Sequence, residues 1–221
     1  MTLSVVIPTI NAAVTLPETL SALDGADEVV VVDGGSADGT AELARRLGMR
    51  LVTAPRGRGR QLGAGAEAVR GDWLLFVHAD TRLDPDWKSA VDAFVADPVN
   101  RTKAATFRFA LDDNSAQAQW LEKIVAWRVR RLGLSYGDQG LLIHRDFYRA
   151  LGGFRPLPIM EDVDLVYRIG RRRLIALPIA ARTSAARWRQ EGWLRRSSRN
   201  LTCLSLFLLG VPPRLIARLY G

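Results

Sequence analysis

The feature that most constrains this chain is the stretch Val29–Thr40, VVVVDGGSADGT. Four consecutive valines, apolar and β-branched and bounded by turn residues, specify a short strand buried on both faces. Such a strand belongs in the middle of a parallel sheet. The run ends at Asp33, Gly34-Gly35-Ser36 turns the chain, and Ser36 or Asp38 is placed to cap a helix opening near Thr40. Asp33 is therefore expected at the carboxyl end of a central strand, the edge at which open α/β sheets bind ligands. There its carboxylate either accepts a hydrogen bond from a ligand N–H or only caps the turn. The residues alone leave both readings open.

The flanking segments extend the same pattern. Leu3–Pro8 is an apolar run that predicts a first strand, followed by the loop Pro8-Thr9-Ile10-Asn11. Thr15 and Glu18 have capping-box spacing around Pro17, predicting a helix to about Leu23. Thr40–Leu47, closed by Gly48, reads as a second helix, and Arg50–Thr53 as a third strand. This is a βαβαβ beginning with connections that favour parallel pairing. Asp72–Val77 predicts a fourth strand with His78-Ala79-Asp80-Thr81 at its carboxyl end, then a helix capped by Asp84 with Pro85 in its first position. Further on, Ala104–Leu111 and Leu141–His144 read as strands, as do two short runs, Leu174–Leu177 and Ile179–Arg182. Ser115–Leu132 reads as a long helix whose stripe Trp120, Ile124, Trp127 and Arg131 is expected to face the core. Met160-Glu161-Asp162 opens a helix over Val163–Arg172, and another is expected near Glu191–Arg199.

Three observations bear on chemistry. The formal net charge of +8 and pI near 10.5 favour an anionic partner: phosphate, nucleic acid or an anionic membrane surface. Pro55–Gln61 is a basic glycine loop leading into a small-residue helix, a setting that suits a pyrophosphate. It lacks the third glycine of a dinucleotide fingerprint, where Leu62 stands, and it has no Walker lysine. An aspartate just past a buried strand, Asp80, suits a hard divalent cation such as Mg²⁺ or Mn²⁺. His78 beside it is a second ligand or a core histidine.

Hydrophobic content of 48% and charged content of 24% indicate a folded core rather than disorder. The single cysteine, Cys203, excludes an intrachain disulfide and a cysteine metal cluster, which suits a reducing, cytoplasmic setting. The N-terminal residues read as a strand and not as a signal peptide. Leu201–Val211 is apolar, with arginines on both sides, and too short to cross a bilayer, which takes about 20 residues. It either lies in a membrane interface, making the protein peripheral on the inner face, or packs as a core helix.

Taken in order, these motifs resemble the family-2 glycosyltransferases of GT-A fold, and small bacterial members in particular. The resemblance rests on Val5–Asn11 as the opening strand and loop, Val31–Thr40 as the nucleotide signature, and Arg60–Gly65 as the arginine-bearing helix beside the diphosphate. It continues through His78-Ala79-Asp80 in the place of the Asp-x-Asp motif, Glu161-Asp162 as the acidic pair, and Arg187-Trp188 with the following basic helix as the segment that closes over the site. The departure is His78, where the family has its first acid.

The resemblance implies an α/β fold, a Rossmann-like, mostly parallel central sheet flanked by helices. A catalytic domain would cover residues 1–192, with a nucleotide-sugar half of about 1–100 and an acceptor half of about 101–192, followed by a basic helical tail, 193–221. It implies a metal-dependent, inverting hexosyltransferase moving sugar from a nucleotide-diphosphate sugar, UDP-linked, to a hydroxyl acceptor, with a lipid-linked acceptor as one option. Asp162 would be the base, with Glu161 beside it. Asp80 and His78 would hold Mn²⁺ or Mg²⁺. Pro8, Thr9, Asn11, Asp33, Gly34, Arg60, Ala79, Asp80, Asp138, Gln139, Arg187 and Trp188 would contact substrate. Two other readings are a nucleotidyltransferase and a basic nucleic-acid-binding protein. No helix-turn-helix, zinc finger or aromatic RNA platform is seen, so nucleic acid is not the expected partner.

Overall fold

The computed structural model describes residues 1–220. Its centre is an eight-stranded mixed sheet in the order β3-β2-β1-β4-β7-β6-β8-β5. The strands are β1 (Leu3–Thr9), β2 (Glu28–Asp33), β3 (Arg50–Thr53), β4 (Trp73–Phe76), β5 (Thr81–Leu83), β6 (Ala104–Leu111), β7 (Leu141–His144) and β8 (Leu174–Thr183). The first four pair in parallel, as the βαβαβ pattern predicts. β7 is antiparallel to β4 and β6, while β8 is parallel to β6 and antiparallel to β5. All seven residues of β1 and Val30–Asp33 of β2 are buried, which is what uninterrupted apolar strands require when helices cover both faces.

The helices are α1 (Leu16–Ser21), α2 (Thr40–Arg46), α3 (Arg58–Ala68), α4 (Trp87–Ala96), α5 (Ala116–Leu132), α6 (Arg145–Ala150), α7 (Glu161–Ile169), α8 (Ala186–Glu191), α9 (Trp193–Leu208) and α10 (Pro213–Tyr220). Two core layers result. One, around Leu16, Trp73, Trp87 and Phe107, lies on one face of the sheet. The other, around Leu62, Phe76, Tyr148 and Leu165, lies on the opposite face. Helix α3 fits closely because its small residues allow it: a Cβ on Gly65 would stand 2.3 Å from Cγ1 of Val6.

Several local expectations are corrected. Thr15 forms no capping hydrogen bond to α1. The residue before α2 is Gly39, left-handed at φ 84°, and it is Asp38 whose carboxylate accepts the Thr40 N–H, at 3.0 Å. Asp86, not Asp84, precedes α4, because Asp84 instead holds Arg182 across the β5–β8 edge at 2.8 Å. The two short strands expected over 174–182 are one strand carrying a register shift opposite Thr106–Arg108. The helix expected near Glu191–Arg199 is two, divided at Gly192, whose φ of 87° suits a residue without Cβ.

The largest correction concerns α5. Its buried residues are Ala118, Val125 and Val129, so the stripe expected to face the core points outward: Trp120, Ile124 and Trp127 are 58%, 39% and 52% exposed. The apolar run 201–211 divides between both readings offered for it. Cys203 and Leu204 are buried against Leu134, Met160, Val163 and Ile216, whereas Leu201, Leu208 and Leu209 face outward. Among the described residues no helix is long and apolar enough to cross a membrane.

Candidate active site

A cavity of about 680 Å³ opens where β1 and β4 end, between the start of α3, the loop 135–140, the start of α7 and the last three helices. Its wall includes Pro8, Thr9, Asn11, His78, Ala79, Asp80, Asp138, Glu161, Asp162, Arg187 and Trp188, so one site gathers most of the residues singled out from the sequence. Asp33, Gly34, Arg60 and Gln139 are not part of that wall.

The position of those four has a local cause. Asp33 is 4% exposed, and its carboxylate accepts hydrogen bonds from the Gly35 and Ser36 N–H groups at 2.9 and 3.0 Å and from the Thr9 and Ser36 hydroxyls. Burial works against its ionised form, yet these bonds lower its pKa below the ordinary aspartate value. In this state Asp33 fixes the turn. Gly34 is glycine because the Gln61 amide lies 2.9 Å from where a Cβ would stand. That amide donates to the carbonyls of Thr9 and Val32 at 2.7 and 2.9 Å, tying α3 to both strands. Gln139 donates to the Phe107 carbonyl at 3.0 Å and so anchors the loop 135–140 to β6. All three arginines of the basic loop and helix start are exposed, but Arg56 and Arg58 line the cavity and Arg60 does not. On a helix, two residues' advance turns a side chain by roughly 200°, so Arg58 and Arg60 face opposite ways.

The acidic pair at the start of α7 is divided in role. Glu161 is 2% exposed and pairs with Arg58 at 3.2 Å. Burial and the adjacent Asp162 push its pKa up, against the pull of Arg58. Asp162 accepts the Gly137 N–H at 2.6 Å and the Val163 N–H at 2.8 Å. Gly137 is hemmed in: a Cβ there would lie 2.4 Å from Nε2 of His78 and 3.2 Å from the Asp162 carboxylate. Only glycine lets the loop bring imidazole and carboxylate this near each other. The backbone is strained at this wall. Met160, just before the pair, and Asn11, opposite, are the positive-φ residues other than glycine among the described residues, at 65° and 50°. Asn11 is held by the Ala37 N–H donating to its side chain and by its own N–H donating to Ser36, both at 2.9 Å.

Burial, with Arg58 and Arg187 nearby, puts His78 well below the ordinary histidine range, so its imidazole is neutral. Burial likewise pushes Asp138 up to about 7, against the pull of Arg128 and with Asp162 and Asp80 adding to the rise. Its Oδ1 is buried and without a partner. No hydrogen bond among the described residues occupies the Asp80 carboxylate, and no group of three or more His, Cys, Asp or Glu side chains there is arranged to hold a metal by itself. A cation that bridges substrate phosphates needs only one or two protein ligands. A free carboxylate, a neutral imidazole and an orphaned carboxyl oxygen fit that requirement.

The sequence reading did not include Arg58, Tyr136, Arg196, Asn200 or Tyr220 among the substrate contacts, yet all line the cavity. Arg196 is 6% exposed, lies over the Trp188 ring at 4.6 Å and pairs with Glu191 at 2.6 Å. Its Nε and the Trp188 Nε1 are buried without partners. The basic loop pointed to Arg58. The likeness of Arg187-Trp188 and the basic helix after it to a closing segment pointed toward Arg196, whereas nothing in the sequence signalled Asn200 or Tyr220, which reach the cavity through tertiary packing.

This fold is that of the GT-A glycosyltransferases. The chain belongs to glycosyl transferase family 2, whose model matches residues 4–121. It is 36% identical over 106 residues to a PGL/p-HBAD biosynthesis glycosyltransferase of Mycobacterium bovis BCG Pasteur, covering 42% of this chain and 41% of that protein. An uncharacterized M. bovis glycosyltransferase is 35% identical over 82 residues, covering 37% of this chain and 38% of that one. The chain thus aligns with about two fifths of the length of these relatives. Among solved structures, S. aureus TarS 1–349 superposes with a TM-score of 0.65 at 19% identity, over 84% of this chain and 61% of that one. Glucosyl-3-phosphoglycerate synthase of M. tuberculosis, in complex with Mn²⁺, UDP-glucose and phosphoglyceric acid, superposes with a TM-score of 0.64 at 18% identity, over 96% of this chain and 80% of that one.

Proposed function

We propose that this glycosyltransferase moves a sugar from a UDP-linked donor to a hydroxyl acceptor, with inversion at the anomeric carbon. The observation that carries this reading is the Asp162 carboxylate, which lines the cavity and is oriented by the Gly137 and Val163 amides, while its neighbour Glu161 is committed to Arg58. The UDP donor is supported by the UDP and UDP-GlcNAc complexes of TarS and the UDP-glucose complex of glucosyl-3-phosphoglycerate synthase.

In this reading Asp162 takes the proton of an acceptor hydroxyl as its oxygen attacks the anomeric carbon, and the nucleoside diphosphate departs from the opposite face. No second carboxylate is assigned as nucleophile in this reading, so the reaction is one in-line displacement with inversion. Glu161 is a positioning residue: it keeps Arg58 at the cavity, where the charges of Glu161, Asp162 and Asp80 outweigh desolvation and hold the guanidinium ionised. Arg58 and Arg187 meet negative charge growing on the leaving diphosphate. Asp80, with His78, would hold Mn²⁺ or Mg²⁺, which when bound neutralises diphosphate charge. Asp33, through its turn, shapes the end of β2 against which the nucleotide base would lie.

The test is a donor screen by product mass and NMR. A UDP-sugar consumed with release of UDP, and a product of inverted anomeric configuration, are expected. Retained configuration overturns the base assignment, and transfer of the nucleotide rather than the sugar overturns the reaction class.

A further inference from the structure

We infer that the outer faces of α5 and the C-terminal helices form a surface that seats the protein on an anionic lipid bilayer. The first observation is the outward stripe of α5. Trp120, Ile124 and Trp127 are spaced four and three residues apart, so they lie along one side of the helix, and each is exposed. Lys123, Arg130 and Arg131 stand exposed on the same helix. Two half-exposed tryptophans flanked by cations are costly to leave in water and match the headgroup region of a bilayer, where indole and guanidinium are both accommodated.

The second observation, independent of the first, is α9. Leu194, Leu201 and Leu208 recur every seven residues and are 77%, 62% and 47% exposed, with Leu209 at 81%. Arg196 and Cys203, also seven apart, are buried on the other side. α10 repeats the arrangement: Ile216 is buried, Leu215 and Leu219 are 48% and 62% exposed, and Arg214 and Arg218 are exposed beside them. Helices α5 and α9 meet in one corner of the molecule. Trp193 packs against the cluster that holds Val125 and Val129, and Leu134, just beyond α5, packs with Cys203 and Leu204.

Charge selects the occupant. Of the arginines in residues 193–221, Arg195, Arg214 and Arg218 are exposed, and the segment holds no acidic residue. A second copy docked on this face by a two-fold axis would bring arginine against arginine. A surface of anionic headgroups complements it and also receives the leucines and tryptophans.

The test uses the whole chain and vesicles of phosphatidylcholine, with or without phosphatidylglycerol. Flotation with the anionic vesicles is expected to exceed that with phosphatidylcholine alone by tenfold or more at low salt, and to weaken as salt is raised. Brominated acyl chains should quench part of the tryptophan fluorescence. The double variant Trp120→Ser, Trp127→Ser should remove that quenching and lower partitioning at least tenfold, since each indole withdrawn from the interface costs a substantial part of the apolar contribution. Leu194→Ser with Leu209→Ser is the second variant and stands in if the first does not fold. Absence of flotation with anionic vesicles overturns the inference, as does flotation undiminished in the folded variants. A salt-dependent dimer seen by light scattering and lost in the tryptophan variant would assign the face to a second copy instead. None of these readouts depends on turnover, so they stand apart from the catalytic assignment.

Discussion

Asp138→Asn is expected to stabilise the protein at neutral and mildly alkaline pH and to remove a defined part of its pH dependence. Asp138 is half-buried in the loop Ser135–Gly140, with one carboxyl oxygen fully buried and unpartnered, and desolvation pushes its folded-state pKa up to about 7. In the unfolded chain it titrates near ~3.9. Below about pH 4 the carboxyl is protonated in both states and contributes no difference. Between about pH 4 and 7 the unfolded chain releases the proton while the folded protein keeps it, so stability falls as pH rises. Above about pH 7 both are ionised and the penalty is complete. A rise of about 3 units corresponds to roughly 4 kcal/mol as a ceiling, and water entry and loop relaxation should leave about 2 kcal/mol. Asparagine keeps the shape, carries no charge and takes no part in this titration. The assay is urea unfolding of parent and variant at pH 5 and pH 8. Because the two chains share every other titrating group, the difference between them isolates position 138. The variant's advantage should be greater at pH 8 than at pH 5 by about 1–2 kcal/mol. An advantage equal at the two pH values, or a variant less stable at pH 8, would refute the reasoning.

Three further outcomes follow from the cavity. Asp162→Asn should lower turnover by about 10²–10⁴ with UDP affinity retained. Because the new amide keeps one acceptor oxygen for two N–H donors, it should also cost about 1–2 kcal/mol in urea unfolding. Asp80→Asn should abolish the stimulation of turnover by Mn²⁺, read as initial rates in chelator and in added metal, and full parent activity in chelator would remove Asp80 from that role. Gly59→Ala places a Cβ 2.2 Å from the Arg155 carbonyl where α3 meets α7, and it should lower stability by about 1–3 kcal/mol on thermal unfolding.

The parallel half of the sheet was legible because its strands are uninterrupted apolar runs ending in turn residues. Four β-branched valines followed by Asp-Gly-Gly are too short a run for a helix and end in a turn, which favours a buried strand. The acidic and basic residues at those strand ends were legible for the same reason, since topology places all such ends on one edge. What was not legible depends on contacts distant in sequence. A period of 3.6 shows that Trp120, Ile124 and Trp127 share a face but does not say which face the protein covers, and in α5 the smaller Ala118, Val125 and Val129 won the core. The pairing of β8 with β6 joins segments far apart in the chain, so its length and register shift have no local signature. Arg58 and Arg60 differ in role through helix phase alone, which is fixed only once α3 is known to begin at Arg58. The buried Gln61, read simply as the end of a basic loop, holds two strands and a helix together.

The last two helices have a consequence beyond the surfaces they present. Their inner sides supply Arg196, Asn200, Ala217 and Tyr220 to the cavity, with Arg199 stacked on the Tyr220 ring at 4.9 Å, and their outer sides carry the exposed leucines. A ligand in the cavity and a partner on the outside therefore act on the same two rods. If occupancy of one side shifts how α9 and α10 sit, thermodynamic linkage requires the two affinities to change by the same factor in both directions. Removing the segment would not isolate either effect, because it would take away one wall of the cavity and bare Leu134, Met160 and Val163 together. Point substitutions on one side at a time are the perturbations that can separate what these helices hold from what they touch.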